Sequence, residues 1–344
     1  MKTKHFFPLA FVLLIATTAC TNTVNEIKID EKNFPDENFR AWILEQEYGK
    51  DSVLTAEEIA GIDTIEVFGD DIKNLKGIEY FTALTTLDCL LNELTNLDIS
   101  KNTALTELCC ADNKLTNLDI SKNTALIYLS CEGNQLTTLD VSKNTVLKEL
   151  YCSYNQLTTL DVSKNNALKE LYCHDNQLTA LDVSGCSELT CLECTKNQLM
   201  ALDVSKNTKL EELRCWINRL TSLNVSGCSV LTVLDCGENQ LKELDISSNT
   251  ALKTLICWNN RLDSLNVSGC TDLTYLRCDR NDISGSNMDS LVESLPIVSK
   301  GTWLVINIFS DPDNRMTTAQ VAAAKAKGWM PYYIAGWREY EGKD

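Results

Sequence analysis

Histidine is almost absent from this chain, and with it the side-chain groupings on which many active sites depend. Two histidines occur among 344 residues, and since His5 lies in the signal peptide argued for below, His174 is the one that remains. Carboxylates are frequent, but they belong to repeated columns with nothing beside them that would perturb a pKa. Cys191 and Cys194 form a CxxC pair, yet residues three apart on a strand point to opposite faces. We therefore predict that the protein is not an enzyme.

Positive charge is also scarce. The chain has 31 lysine and arginine residues against 48 aspartate and glutamate residues, which gives a formal net charge of −17 at pH 7. Such an acidic surface repels phosphate backbones, so we expect no nucleic-acid partner. It also disfavours direct docking on anionic lipid, so a membrane link would require a lipid anchor.

A long hydrophobic run is missing as well. The apolar segment at residues 6–15 falls well short of the roughly 20 residues that a membrane-spanning helix needs. Lys2 and Lys4 precede this segment, and the small residues 17–19 follow it, which is the order of a signal peptide. We predict that residues 1–19 direct export and are removed.

Cys20 stands directly after the predicted cleavage site. In this position it resembles the lipid-modified cysteine of bacterial lipoproteins, although Thr17 replaces the leucine that usually stands three residues earlier. We predict lipidation at Cys20, with residues 20–30 as a linker and the protein held at the outer membrane or cell surface. The alternative is ordinary cleavage that leaves Cys20 as a free thiol.

What the chain does have is an uninterrupted repeat of 21 residues. Ten cysteines recur at this spacing, an asparagine follows each at the third position, and leucines fill two further columns. The ten cysteines, called the cysteine ladder below, are Cys89, Cys110, Cys131, Cys152, Cys173, Cys194, Cys215, Cys236, Cys257 and Cys278. This pattern is the signature of a leucine-rich repeat solenoid, an array that normally binds rather than catalyses.

Sixteen cysteines in an exported protein would ordinarily suggest disulfides. Each ladder cysteine, however, replaces an inward-facing leucine, and its neighbours lie about 4.8 Å away, one strand spacing. Parallel in-register side chains keep their Cβ atoms farther apart than the ~3.8 Å that a disulfide prefers. We predict reduced thiols that pack as small hydrophobic groups, with zinc as the weaker alternative because the ligands do not converge. The redox state of the remaining cysteines stays open: Cys109, Cys186, Cys191, Cys228 and Cys270.

Two short strands are predicted in every coil. Leu150 and Cys152 are two residues apart, as in a strand with one buried face, and Leu160 and Val162 repeat this spacing on the opposite flank. Twenty-one residues leave no room for a helix between them. Asn155 and its equivalents need buried hydrogen-bond partners, which we predict in the backbone of the next coil.

The unit LxxLxCxxNxLTxLDVSxN and the lead-in at 75–81 (Leu-Lys-Gly-Ile-Glu-Tyr-Phe) carry a family resemblance. Over residues 72–283 the chain resembles bacterial internalin-type leucine-rich repeat proteins, above all the internalin J-like branch with 21-residue cysteine-ladder repeats. The resemblance implies a curved parallel sheet, a surface location, and adhesion or protein recognition, without implying a particular ligand. The chain departs from the repeat where a turn asparagine becomes Cys186, Cys228 or Cys270. It also lacks a Gram-positive wall-anchor motif, which places the expected anchor on Cys20.

We therefore predict an α/β solenoid, a right-handed leucine-rich repeat coil that is mostly parallel β structure. A concave sheet and a second short-strand flank would run through ten repeats at 84–283. A helical cap with a lead-in repeat is expected at 31–83, and an αβ cap at 284–344.

In the N-terminal cap, Pro35 is expected to start a helix that contains Phe39, Trp42 and Ile43. Residues 47–58 faintly resemble a calcium-binding EF-hand loop. Gly49 and Ser52 stand where a carboxylate and the invariant glycine belong, so a purely structural cap without calcium is favoured.

In the C-terminal cap, we predict a helix at 288–295 and a strand at 303–309. Thr317 and Gln320 form a capping box that opens a second helix, which Gly328 closes. A final strand is expected at 329–334.

A column of aspartates lies on the predicted second flank. Its members are Asp98, Asp119, Asp140, Asp161, Asp182 and Asp203. Calcium or hydrogen bonds from the adjoining Ser-Lys-Asn turn could relieve their mutual repulsion. Asn224 and Asn266 replace aspartate without breaking the pattern, so we favour hydrogen bonds.

The outward residues of the strand that carries the cysteine ladder vary from coil to coil, whereas the other flank is monotonous. Aromatic and arginine side chains, which dominate interface hot spots, accumulate there. The predicted ligand-binding residues of this concave face are Tyr128, Tyr151, Tyr154, Tyr172, His174, Arg214, Trp216, Trp258, Tyr275 and Arg277. Trp216 and Trp258 lie two coils apart, roughly 9–10 Å, a spacing that suits protein side chains or successive sugar rings. The alternative is cross-strand stacking that merely stabilises the sheet.

We expect a monomeric recognition or adhesion protein, without a cofactor, that binds a host or neighbouring-cell protein or glycoprotein. One alternative is an accessory lipoprotein that captures a polysaccharide. The other is a structural surface component with no specific ligand.

Overall fold

The structure, a computed structural model, describes residues 26–306, 314–333 and 338–343. These residues form a stack of coils in which each 21-residue unit contributes one three-residue strand to a long sheet. The leucine-rich repeat solenoid predicted from the period is thereby confirmed. The predicted signal peptide and Cys20 lie outside the described residues.

Eighteen strands and four α-helices are found in the described residues. The strands are β1 (Ile27–Lys28), β2 (Val53–Leu54), β3 (Thr64–Glu66), β4 (Thr86–Asp88), β5 (Glu107–Cys109), β6 (Tyr128–Ser130), β7 (Glu149–Tyr151), β8 (Glu170–Tyr172), β9 (Cys191–Glu193), β10 (Ala201–Asp203), β11 (Glu212–Arg214), β12 (Ser222–Asn224), β13 (Val233–Asp235), β14 (Thr254–Ile256), β15 (Tyr275–Arg277), β16 (Gly301–Ile306), β17 (Trp329–Tyr333) and β18 (Arg338–Glu339). The helices are α1 (Glu37–Glu45), α2 (Ala56–Gly61), α3 (Gly285–Ser294) and α4 (Thr318–Ala326).

Fourteen of these strands form one sheet, which follows chain order from β3 to β18 and omits β10 and β12. All pairings in it are parallel except that of β17 with β18. Leu150 lies opposite Leu171 in the neighbouring coil, and Tyr151 lies opposite Tyr172. Equivalent residues of successive coils therefore form straight columns, and one column of leucines fills the interior.

The cysteine ladder is completely buried beside these leucines, and no disulfide joins the described cysteines. Burial raises the pKa of the Cys152 and Cys173 thiols well above the ordinary value, so they remain protonated at neutral pH. The prediction of an inward ladder of reduced thiols is confirmed.

The asparagine that follows each ladder cysteine binds backbone groups of two coils. The Asn155 Nδ2 donates to the carbonyl oxygens of Cys131 (2.9 Å), Cys152 (3.2 Å) and Ser153 (3.1 Å). Its Oδ1 accepts from the Leu136 amide at 2.9 Å. The predicted asparagine ladder is present, but its partner coil is the preceding one and not the next.

A second asparagine column closes the turn of each coil. The Asn165 Nδ2 donates to the carbonyl oxygens of Val141 (3.1 Å) and Asn144 (2.9 Å), while its Oδ1 is buried without a partner. Where the column changes to cysteine, the Cys228 thiol lies 3.3 Å from the Val204 carbonyl oxygen and replaces one of these bonds. A thiol leaves no buried oxygen unpaired, which explains why cysteine is tolerated here.

The predicted second strand on the opposite flank is wrong for most of the described coils. Leu160 and Val162 are buried as expected, but strand geometry occurs there only at β10 and β12. In that pair the Val204 amide donates to Asn224 in the next coil at 2.9 Å. Curvature spaces a repeat stack more widely on the side away from its concave sheet, so backbone hydrogen bonds between coils are harder to form there.

The N-terminal cap begins with α1, which Asp36 caps instead of Pro35. The Asp36 carboxylate accepts from the amides of Asn38 and Phe39 at 3.0 Å each, and from Lys73 in the lead-in at 2.8 Å. One side chain thus closes the helix start and ties it to the solenoid.

The segment that resembles an EF-hand loop connects α1 to α2. Ser52, at the position of the invariant glycine, has a φ of 68°. Glu58 completes a capping box with Thr55, so its carboxylate serves the start of α2. These contacts match the interpretation of a structural cap.

The C-terminal cap contains the predicted elements with shifted boundaries: α3 covers 285–294 and β16 covers 301–306. Residues 307–309 of the predicted strand lie outside the described residues. The capping box of Thr317 and Gln320 is present at the start of α4. Trp303 continues the leucine column of Leu276, is fully buried, and donates its indole N–H to the Cys278 sulfur at 3.2 Å. Its ring therefore covers the last rung of the ladder.

Candidate binding face of the sheet

The outward side of the long sheet, called the sheet face below, comprises two outward positions on each of β4–β9, β11 and β13–β15, and the two residues after each ladder cysteine. All ten predicted ligand-binding residues lie on it. Nine of them are half-buried, whereas Tyr154 is 56% exposed. The structure does not gather them into one cavity; it distributes them along the columns in separate groups.

The first group is a tyrosine cluster of Tyr128, Tyr151 and Tyr172. The rings of Tyr151 and Tyr172 stack with centroids 4.9 Å apart, and Tyr128 packs on Tyr151 at 5.5 Å. Parallel register causes this stacking, because residues in one column lie a single strand spacing apart. The Tyr151 hydroxyl donates to Glu170 at 2.7 Å, and the Cys191 thiol lies 3.3 Å from the Tyr172 hydroxyl.

These contacts also perturb the tyrosine hydroxyls. Burial, reinforced by the hydrogen bond to Glu170, raises the pKa of Tyr151 far above its usual value. The hydrogen bond with Cys191, together with burial, raises the pKa of Tyr172. Both rings are neutral at physiological pH, so the cluster offers aromatic surface and not anionic charge.

A second group borders the tyrosine cluster. The Tyr154 ring meets the His174 ring edge to face at 4.8 Å. The His174 Nδ1 lies 3.1 Å from Asp175, which also forms an ion pair with Lys196 at 3.2 Å. Tyr154 has a φ of 53°, so its side chain projects from the chain reversal that follows the strand. It is the most exposed aromatic ring of the predicted set.

A third group surrounds Trp258. The Arg277 guanidinium lies 4.1 Å from the centre of the indole ring and donates to Asp279 at 3.1 Å. A side chain at Gly237 would collide with the Trp258 indole. Trp258 is thus engaged within the protein, over a glycine and under an arginine.

The fit of Trp258 over Gly237 belongs to a pattern that the sequence analysis missed. In the column directly after the ladder cysteines, a large half-buried residue alternates strictly with a small buried one. The column runs Leu90, Ala111, Glu132, Ser153, His174, Thr195, Trp216, Gly237, Trp258 and Asp279. Since the alternation is visible in the printed sequence, comparing that one position between coils would have found it.

Asp235 is a further residue that the sequence analysis did not single out. Burial raises the pKa of its carboxyl to about 6, although the Gly237 amide donates to it and the positive charges of Arg277 and Arg214 oppose the shift. It stands on β13 between the arginine-bearing strands. The sheet face therefore changes its charge within the physiological range.

On the opposite flank, the aspartate column is held by hydrogen bonds, as favoured from the sequence. The Asp161 Oδ1 accepts from the Ser163 amide at 2.9 Å, and equivalent bonds recur along the column. Asn224 accepts in the same way from Ser226 at 3.2 Å. Hydrogen bonds to the adjacent serine lower the pKa of Asp140 and Asp161 below the ordinary value of 3.8.

This column predicts a loss of stability in acid. Because the folded-state pKa values lie below 3.8, the stabilisation is fully present above about pH 4 and is lost as the pH falls through the folded values. We expect the melting temperature to fall between about pH 5 and about pH 3. An Asp140→Asn/Asp161→Asn variant, which keeps both acceptors, should match the wild type at about pH 7 and lose less in acid. An identical acid-induced decrease in both proteins would contradict this assignment.

Within residues 26–306, 314–333 and 338–343, no group of three or more histidine, cysteine, aspartate or glutamate residues is arranged to hold a metal ion. None of the helices in that part of the chain is long and apolar enough to cross a membrane.

Comparisons with known proteins agree with the fold and with the ladder. Residues 145–185 match the family of leucine-rich repeats in two copies. Over 70 residues, 20% of the chain, the sequence is 42% identical to internalin J of Listeria monocytogenes serotype 4b (strain F2365). That match covers 8% of the relative, so the chain corresponds to a small part of its length.

Solved structures of the same group extend the likeness. The functional domain of InlJ from Listeria monocytogenes, described as including a cysteine ladder, aligns with 90% of this chain and 81% of its own. The TM-score is 0.59 and the identity 27%. An internalin, inlF, of Listeria monocytogenes strain 4b F2365 aligns over 91% of this chain and 99% of its own, with a TM-score of 0.68 and 21% identity. The second likeness supports the fold alone.

Proposed function

Because this chain is an internalin-type leucine-rich repeat protein with a cysteine ladder, we propose that it recognises a partner protein or glycoprotein through its sheet face. The observation that carries the proposal is the collection of aromatic rings on that face: the tyrosine cluster, Tyr154 and Trp216. Repeat stacks use such extended surfaces for binding, and tyrosine and tryptophan dominate interface hot spots. The other buried columns of the coil are occupied by packing and hydrogen bonding.

The proposed setting is outside the cytoplasm. Export through residues 1–19 and a lipid anchor at Cys20 would place the monomeric protein at the outer membrane or cell surface. There the sheet face would contact a host cell or a neighbouring cell, which makes adhesion the proposed role.

Capture of a polysaccharide is the second candidate. The stacked rings of Tyr151 and Tyr172 resemble the aromatic platforms on which sugars stack. Against it, Trp258 is covered by Arg277 and does not form an open pair of platforms with Trp216. We therefore favour a protein surface. A structural component without a ligand, the third candidate, would show no saturable binding.

A double variant of the sheet face tests the proposal. Tyr154→Ala/Trp216→Ala removes two aromatic side chains that the fold leaves partly exposed. Interface anchors of this kind contribute at least about 2 kcal/mol, so we expect affinity to fall more than about tenfold. The measurement is capture of cell-surface proteins by the immobilised chain, with the captured species identified and then titrated in purified form.

The matched control is Met200→Ala/Val146→Ala, which removes exposed apolar side chains outside the sheet face. It should bind as the wild type does, and neither variant should melt more than a few degrees lower. Loss of binding after protease treatment of the target supports a protein ligand, whereas loss only after glycosidase treatment supports a glycan. Equal binding by all three chains would overturn the assignment of the sheet face.

A further inference from the structure

Charge is distributed unequally along the sheet face. In the coils of β4–β8, its outward positions contain seven carboxylates and neither lysine nor arginine. The seven are Asp88, Glu107, Asp112, Glu132, Glu149, Glu170 and Asp175. This region also contains Tyr128, Tyr151, Tyr154 and Tyr172, and we call it the acidic tyrosine region.

Most of these carboxylates have no cation beside them. Among the described residues, Asp175 is the member that forms ion pairs, with His174 and Lys196. Glu149 and Glu170 lie directly opposite each other on β7 and β8, one strand spacing apart. Like charges in this position repel, and the hydroxyl of Tyr151 relieves only Glu170. The sheet thus retains an uncompensated pair of negative charges next to two stacked aromatic rings.

The coils of β11–β15 contain the same elements together with the missing cation. Arg277 lies over the Trp258 ring and pairs with Asp279. Arg214 lies between Glu193, at 3.9 Å, and Glu212. Here the chain itself supplies the guanidinium that an aromatic ring and a carboxylate bind together. In the acidic tyrosine region that position is left for another molecule.

Ser153 provides an independent indication in the same region. It follows the inward-facing Cys152, so its side chain points to the sheet face. The hydroxyl is fully buried and has no hydrogen-bond partner. Its sequence neighbours Cys152 and Tyr154 hydrogen-bond to the coil of Tyr172 and His174, which places it beside the aromatic rings. A hydroxyl oxygen accepts from an ammonium or guanidinium group and would gain the bond that it lacks.

We propose that the acidic tyrosine region docks a lysine- or arginine-bearing segment of the partner protein. This rests on the proposed function and names the chemistry of its partner. A guanidinium or ammonium group lies on the Tyr151 and Tyr172 rings and pairs with Glu149 and Glu170, as Arg277 lies on Trp258 and pairs with Asp279. The net charge of −17 attracts such a segment over longer distances, while the tyrosines and the glutamate pair fix its position.

The test uses a fluorescently labelled arginine-rich peptide, a glutamate-rich peptide of equal length, and fluorescence anisotropy at physiological salt. Glu149→Gln/Glu170→Gln removes two charges from the site and also the repulsion between them, so the melting temperature should not fall. Asp140→Asn/Asp161→Asn removes two charges from the opposite flank. We expect the first variant to bind the arginine-rich peptide about tenfold more weakly, and the second less than about twofold. Tyr151→Leu/Tyr172→Leu, which changes no charge, should also weaken binding several-fold.

Equal weakening in the two charge variants would show that the peptide responds to net charge alone, and it would overturn the proposal. So would full displacement of the peptide by spermine at equal charge concentration, because a free cation would then replace the protein segment. If either result appears while Tyr154→Ala/Trp216→Ala still abolishes capture of the cell-surface partner, the proposed function stands and the basic partner segment is rejected. If peptide binding is site-specific but no cell-surface protein is captured, the docking chemistry stands and the proposed function fails.

Discussion

A Trp303→Ala variant is expected to lose about 3–5 kcal/mol in free energy of unfolding, which is a large part of the stability of a typical domain. Trp303 is fully buried on β16, continues the leucine column beyond Leu276, and donates to the Cys278 sulfur. Its removal opens a cavity at the last rung of the ladder. In a repeat stack each coil is stabilised by its neighbours, so the loss at this end should spread into the adjoining coils.

The matched control is Trp216→Ala, which deletes the same side chain from the sheet face. Trp216 is only half-buried, so the decrease should be much smaller than for Trp303. Urea denaturation followed by circular dichroism measures both. Equal destabilisation by the two substitutions would show that the C-terminal cap does not protect the end of the stack in the way inferred here.

An Asn155→Ala variant is expected to cost about 3 kcal/mol or more. The side chain donates to three carbonyl oxygens and accepts from the Leu136 amide, all inside the coil. Alanine leaves the Leu136 amide and at least one carbonyl buried without partners, and each unpaired group costs about 1–3 kcal/mol. The midpoint of urea denaturation should therefore fall sharply, with little change in the slope of the transition.

A second asparagine only ten positions later should respond differently. Lys164→Gly/Asn165→Cys copies the Ser-Gly-Cys turn that the chain itself has at residues 184–186. Asn165 leaves its own Oδ1 unpaired, and a thiol preserves one bond to the preceding coil, so the midpoint should change little. A large loss in this variant, or none in Asn155→Ala, would refute the distinction between the two asparagine columns.

The scaffold could be predicted from the sequence because its causes repeat. Leu150, Cys152 and Asn155 each take one orientation in one coil, and a constant period of 21 residues imposes that orientation on all equivalents. The inward thiols, the asparagine hydrogen bonds and the bonded aspartate column followed from this periodicity. The start of α1 was less accessible, because Asp36 caps it through contacts that reach Lys73 as well as its own helix.

The details of the sheet face could not be predicted in the same way, because they depend on contacts between coils that the period does not contain. The sequence placed Trp258 on the face, but not the Arg277 guanidinium over its ring or the Gly237 backbone beneath it. Likewise, the spacing of Leu160 and Val162 is that of a strand, yet coil separation on that flank decides whether strands pair. Periodicity fixes the direction of a side chain but not its distance from the next coil.

The alternation of large and small residues beside the ladder has a consequence for how such a gene can change its length. The geometric unit is one coil, but the unit of side-chain fit is two, or 42 residues. Losing a single coil at Thr195 would bring His174 against Trp216, two bulky rings where one was accommodated. Losing or copying coils in pairs preserves the phase, so unequal crossing-over is filtered towards even steps.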